Sequence, residues 1–432
     1  MLSVLGFIMV AVFMFLIMTK RLSALIALIL VPVVFALIGG FGADLGKMML
    51  EGVKNIAPTG IMLLFAILYF GIMIDAGLFD PVVSKILKAV KGDPLKIVIG
   101  TAILVLAVSL DGDGTTTYMI TISAMLPLYV RLGMSPLVLT CIAMMGSGAM
   151  NIIPWGGPTA RAMTALHLDV SHLFTPLIPA IIGAAAWVIT VAYILGKRER
   201  ARVGILQLDS EVVAQIAAGT ETGAADSKRP RLLWANLLLT IVLMVGLVMS
   251  WLPLPILFML AFAVALMLNY PNLAEQKERV AAHAGNALAV VSMVFAAGIF
   301  TGILSGTEMV DAMAHSLVAL IPESWGPHLP VITAITSMPF TFFMSNDAYY
   351  FGILPIIAET AAAYGIDPVE IGRASLLGQT VHLLSPLVPS TYLLTGMAGV
   401  DFGEHQRFTL KWAVGSTIVM TAIAIVTGVI SL

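Results

Sequence analysis

Apolar residues run in long blocks along this chain, and the most informative blocks are those that end too soon. Roughly 20 consecutive apolar residues cross a bilayer as a helix, whereas 10–14 point to a re-entrant or broken segment. By that measure full spans are expected at Leu2–Met18, Leu22–Phe41, Thr59–Gly77, Leu173–Leu195, Leu233–Trp251, Leu254–Leu268 (short), Ala287–Leu304 and Trp412–Leu432. Four segments break the rule. Ile97–Leu110 stops at Asp111-Gly112-Asp113-Gly114-Thr115, and Leu329–Met344, which contains Pro339, stops at Ser345-Asn346-Asp347. Met134–Thr159 and Ser375–Met397 are long enough to span but carry glycine and proline near their middles. Irregular backbone inside membrane-grade sequence is tolerated only where it is buried in protein or lines a cavity. The pattern therefore predicts two re-entrant hairpins and two discontinuous helices.

These four segments form two sets. With an offset near 231 residues, Gly71…Asp80 falls on Gly302…Asp311 and Gly133-Met-Ser-Pro136 on Gly365-Ile-Asp-Pro368. Gly146 and Pro154 then fall on Gly378 and Pro386. Repeat one is expected at about 1–200 and repeat two at 232–432, joined through 201–231, whose polar stretch Val203–Asp226 reads as a flexible cytoplasmic linker. Lysine and arginine in short loops set orientation. Lys20-Arg21, the Lys85–Lys96 group, Lys197–Arg202 and Lys228–Arg231 all reach the cytoplasmic side if the first hairpin enters from there and the second from outside. Hairpins entering from opposite faces are what an inverted repeat with a shared central site requires.

Composition agrees. Of 432 residues, 59% are hydrophobic and only 11% charged, against about 25% in soluble domains. The net charge of -2 offers no basic surface for nucleic acid, and one cysteine, Cys141, excludes a disulfide or cysteine–metal framework within one chain. Lys20 and Arg21 follow the first apolar run rather than precede it, so that run reads as a membrane helix and not a signal peptide. No nucleotide-binding, His-Glu-x-x-His or nucleophile-elbow sequence is present, so the expected protein is a gradient-driven carrier and not an enzyme.

Ionisable residues at membrane depth are expensive and mark function by default. Asp111 and Asp113 at the first stop, and Asp347 at the second, are candidate ligands for a hard cation, which prefers oxygen. The same aspartates could simply cap the helices that follow. Asn151, Gly156, Gly157, Thr159 and Arg161 around the first break, with Ser345, Asn346, Thr380, Ser385 and Thr391 in the second half, are candidate substrate contacts. There glycine admits close backbone approach, hydroxyl and amide groups donate, and arginine meets a carboxylate bidentately. Small residues also serve tight helix packing in membranes, so that reading stands beside the first. Asp113, Asp347 and His382 are candidates for carrying a coupling proton.

The opening Met1-Leu-Ser-Val-Leu-Gly-Phe, then Asp111-Gly-Asp-Gly-Thr-Thr-Thr-Tyr, Asn151-Ile-Ile-Pro-Trp-Gly-Gly-Pro-Thr-Ala-Arg161 and Ser345-Asn-Asp-Ala-Tyr-Tyr-Phe-Gly352 resemble the CitMHS family of metal–citrate/proton symporters. The resemblance implies a cell-membrane protein that takes up citrate complexed with Mg2+ or Ca2+ in symport with protons, the ion being cargo and not a prosthetic group. It also implies an all-α polytopic fold similar to dicarboxylate/sodium symporters, working as a homodimer by an elevator movement. In that wider group serine-asparagine-threonine motifs at the hairpin tips bind Na+ and carboxylate. Here Asp347 stands where threonine would, and the first tip reads Asp111-Gly-Asp113-Gly. These departures weigh against sodium and suit a substrate that brings its own cation. A carrier of free di- or tricarboxylates, or of another anion, coupled to H+ or Na+, is the alternative expectation.

Overall fold

The computed structural model describes all residues except 1, 20, 91, 113, 206–226, 250, 320–321, 344 and 386–387. The described chain is helical. In order it forms α1 Leu2–Met18, α2 Ala24–Ile38, α3 Leu45–Asp75, α4 Asp80–Val90, α5 Pro94–Val108, α6 Gly114–Arg131, α7 Pro136–Met150, α8 Gly157–Leu166, α9 Val170–Phe174 and α10 Ile178–Val203. After the linker come α11 Leu233–Val248, α12 Leu254–Asn269, α13 Leu273–Gly306, α14 Met309–Val318 and α15 Leu329–Phe343. A π-helical turn, Ala348–Ile353, leads into α16 Leu354–Ala362, followed by α17 Pro368–Leu376, α18 Gln379–His382, α19 Pro389–Ala398 and α20 Phe402–Val426.

Helix starts follow the capping chemistry. Asp93, Asp169, Asn272, Asp367 and Asp401 each accept a backbone N–H one or two residues inside the helix they open. Pro94, Pro136 and Pro368 sit in the first turn, where a missing N–H costs nothing. The turns before α7 and α17 match: Gly133 and Gly365 both adopt left-handed backbone (φ +64° and +80°).

Among the described residues, six helical stretches are long and apolar enough to cross a membrane: Leu45–Asp75, Pro94–Asp111, Val170–Val203, Pro230–Leu247, Ala287–Gly306 and Phe402–Val426. The helices α1, α2 and α12, expected as spans, have 17, 15 and 16 residues and fall short of those six in length. The α5 segment, expected to be too short, reaches 18 residues, because its Asp93-Pro94 cap begins it earlier and a tight turn, Ser109–Asp111, prolongs it. Its end is nonetheless inside the protein, with Val108, Ser109 and Asp111 buried.

The helices form two groups by their contacts, joined by a core that runs through both, where Trp155 packs on Phe70 and Phe258. The long α3 and α13 cross in direct contact, with α1, α2, α11, α12 and α14 around them. Glycine makes the crossing possible: a Cβ on Gly52 would lie 2.0 Å from the Gly298 carbonyl oxygen and 2.8 Å from Gly302 Cα. The second group joins α5–α8, α10 and α15–α20, and it holds all four interrupted segments. At one end of α3, Asp75 meets Arg279 and His283 of α13, and Asp80 meets Lys228. The last linker residues dock on the same end, Arg229 N–H donating to the Ala76 carbonyl. Linker residues 206–226 lie outside the described residues.

Candidate functional site: two turns and two helix breaks

The first turn joins α5 to α6 through Gly112 in left-handed backbone (φ +80°), where a Cβ would press to 2.8 Å from Trp155 Cδ1. Only glycine meets both demands. Trp155 Nε1 donates to the Leu110 carbonyl at 2.9 Å, tying the turn to the break between α7 and α8. In that break a Cβ on Gly156 would lie 2.1 Å from the Asn151 carbonyl oxygen. The break frees a carbonyl that would otherwise be orphaned in a dry interior, at a cost of several kcal/mol on the order of a lost hydrogen bond in lipid. Thr159 Oγ1 donates to it, reaching the Ile152 oxygen at 2.8 Å.

The second half repeats these bonds. A ring nitrogen of His382 lies 2.6 Å from the Thr341 carbonyl, as Trp155 does to Leu110. Thr391 Oγ1 donates to the Leu383 carbonyl at 2.5 Å, as Thr159 does to Ile152. Leu110 and Thr341, and Ile152 and Leu383, are related by the offset seen in the sequence. Gln406 of α20 adds a bond of its own to the Leu384 carbonyl (2.6 Å).

The four segments meet. At the first tip, a Cβ on Gly114 would contact Ser390 Oγ at 3.4 Å and Ser147 Oγ at 3.6 Å, so the tip lies between the two broken helices. Those helices touch each other where Gly148 faces Thr380 Cα. At the second tip Asp347 Oδ1 receives Arg161 Nε of α8 at 2.7 Å, while Arg161 Nη1 donates to the Gly157 carbonyl. Asn346 beside it exchanges two hydrogen bonds with Gln379 of α18, at 3.3 and 3.2 Å. Gln379 also donates to the Tyr350 hydroxyl, which donates to the Ser375 carbonyl.

Of the expected contacts, Arg161, Asp347, Asn346 and Gly157 thus come together. Thr159 and Thr391 spend their protons on the helix breaks and keep only acceptor capacity. Ser345 Oγ accepts the Ala348 N–H and so shapes its own turn, and Thr380 lies 3.4 Å from Ser416 of α20. Ser385 and Asp111 are buried, Asn151 is half-buried at the end of α7, and Asp113 lies outside the described residues. Among the described residues no three His, Cys, Asp or Glu side chains are arranged to hold a metal ion. Gln379 and Gln406 were missed from sequence; the available signal was an uncharged amide inside an apolar run, which needs a buried partner.

A family model described as citrate transporter, CitMHS, matches residues 7–378. The chain belongs to the CitMHS citrate-transporter family. Over the whole length of both chains it is 72% identical to a Bacillus subtilis (strain 168) protein named citrate transporter. It is 58% identical to that organism's Mg(2+)/citrate complex secondary transporter, again over both full lengths. Among solved structures, the YdaH transporter of Alcanivorax borkumensis superposes with a TM-score of 0.61 at 14% identity, covering 89% of this chain and 88% of that one. This last likeness concerns the fold alone. This member of the CitMHS family is a multi-pass membrane transporter of citrate and not an enzyme.

Proposed function

We propose that the chain is a secondary active transporter that imports citrate complexed with a divalent cation, Mg2+ or Ca2+, in symport with protons. The observation that carries this reading is the Arg161–Asp347 ion pair, set where the second tip meets the first helix break. A fixed cation and a fixed anion side by side suit cargo that itself carries carboxylates and a metal. The relative named for the Mg2+–citrate complex supports the metal and the secondary mode. Citrate carries up to three negative charges, costly to desolvate alone, and a bound cation removes most of that cost before entry.

In this reading Arg161 takes a citrate carboxylate, with Asn151 and the Gly156-Gly157 backbone beside it. Asp347 and Asp111 take the cation, and Asp113, Asp347 or His382 carries the proton. The repeated hydrogen bonds at Leu110/Thr341 and Ile152/Leu383 support two inverted repeats, 1–200 and 232–432. The buried end of α5 supports a re-entrant first hairpin. The tight α3–α13 pairing supports an elevator in which this group stays still, as a homodimer, while the other moves.

Purified protein in liposomes should take up labelled citrate only with Mg2+ or Ca2+ present, and uptake should collapse when the pH gradient is dissipated. Undiminished uptake in a chelator would instead establish a carrier of the free carboxylate.

A further inference from the structure

We infer that the Arg161–Asp347 pair is an exchangeable charge template, which admits citrate only together with its cation because each partner must be handed a new one. Resting on the metal–citrate reading, this goes further by naming the device that rejects the separate ion and the separate anion.

The geometry distinguishes this pair from the two bidentate arginine pairs of the same molecule, and from Arg279–Asp75, which shares one bond but is joined by His283. Arg200 holds Asp93 through two bonds, Nε to Oδ1 at 2.9 Å and Nη2 to Oδ2 at 2.5 Å. Arg202 likewise holds Glu199 through two, while Glu199 also accepts the Ser135 N–H. Arg161 and Asp347 share one bond, Nε to Oδ1. Among the described residues, no partner is seen for Asp347 Oδ2 or Arg161 Nη2. Both side chains remain reachable, at 25% and 14% exposure.

The pair can also open without disturbing the helices. Arg161 stands on α8 and Asp347 on the turn after α15, in opposite halves of the chain, so separating them unwinds no helix. The second tip need not follow, because Asn346 is tethered to Gln379 by two bonds and Gln379 to Tyr350 by a third.

Opening leaves two charges unpaired in a partly buried site, and breaking such a pair by losing one partner is unfavourable. Free citrate could satisfy Arg161 but would face Asp347 as one anion faces another. A free cation could satisfy Asp347 but would face Arg161. A citrate–cation complex presents a carboxylate to Arg161 and a metal to Asp347, so both are re-paired in one step. Discrimination of about 100-fold or more against either ion alone follows from the cost of one unpaired partner.

The test is calorimetric titration of the full-length protein in nanodiscs with MgCl2 or CaCl2 alone, citrate in chelator, and the mixture. The unaltered protein should bind the mixture at least about 100-fold more tightly than either component. Asp347→Asn should bind citrate in chelator nearly as well as the mixture, and Asp347→Glu should restore the preference. Arg161→Gln should lose citrate and gain affinity for the cation alone, an independent readout if Asp347→Asn does not fold. An Asp347→Asn protein that keeps the full preference, or an Arg161→Gln protein with no gain for the cation, overturns the template while leaving metal–citrate transport standing. Equal binding of free citrate and the mixture by the unaltered protein refutes that underlying reading as well.

Discussion

At the residue scale the site depends on polar groups that repair backbone damage as much as on groups that face cargo. Thr159 and Thr391 look like substrate contacts in sequence, yet each donates to a carbonyl freed by its own helix break. Replacing either by valine keeps the shape and removes the donor, leaving a buried carbonyl unpaired at a cost of about 1–3 kcal/mol. Thr159→Val and Thr391→Val should each lower the melting temperature and the uptake rate, and the serine variants should recover both. Neutral valine variants would show the hydroxyls to be dispensable to the breaks. Arg373 gives the same lesson: its guanidinium could meet an anion, but it is spent on the carbonyls of His172 and Val429.

At the element scale, the ends of the helices are held by clamps that sequence could place on the basic side but could not pair. Asp93 opens α5 and is gripped by Arg200 near the end of α10. Burial alone pushes the Asp93 carboxyl up, but the Arg200 and Leu95 bonds, with the nearby Arg200 and Lys96 charges, hold it below the usual carboxylate range. A carboxyl whose folded pKa is depressed stabilises fully above its unfolded value, about 3.9, and loses that stabilisation as pH falls through the folded value. Asp93→Asn should therefore melt a few degrees below the unaltered protein at pH 7, with the difference closing at more acidic pH. A difference that stays constant down to pH 3 would assign the effect to packing and not to charge.

At the scale of the whole molecule, the two helix groups touch at several places, α14 against α16 and α8 against α3 and α13 among them, and at α1 and the π-helical turn a Cβ on Gly352 would lie 3.3 Å from Val10 Cγ1. An elevator must slide one group past the other at such a contact. A Val10→Cys/Gly352→Cys protein, with Cys141 replaced by alanine, should transport when reduced and stop when its thiols are bridged by a short bis-thiol reagent. Full-rate transport by the bridged protein would refute relative movement there.

Membrane character, the helix breaks and the family were legible without coordinates. They are written in local composition: run length sets what can span, and glycine and proline mark where a helix cannot continue. The pairings were not legible. Arg161 finds Asp347 across 186 residues, and Asn346 finds Gln379 across 33. Sequence can show that a charge or an amide at membrane depth needs a partner, because leaving it alone is too costly. Which partner it takes is set by how α8 and α18 converge on the second tip, a matter of packing between distant segments that no local pattern encodes.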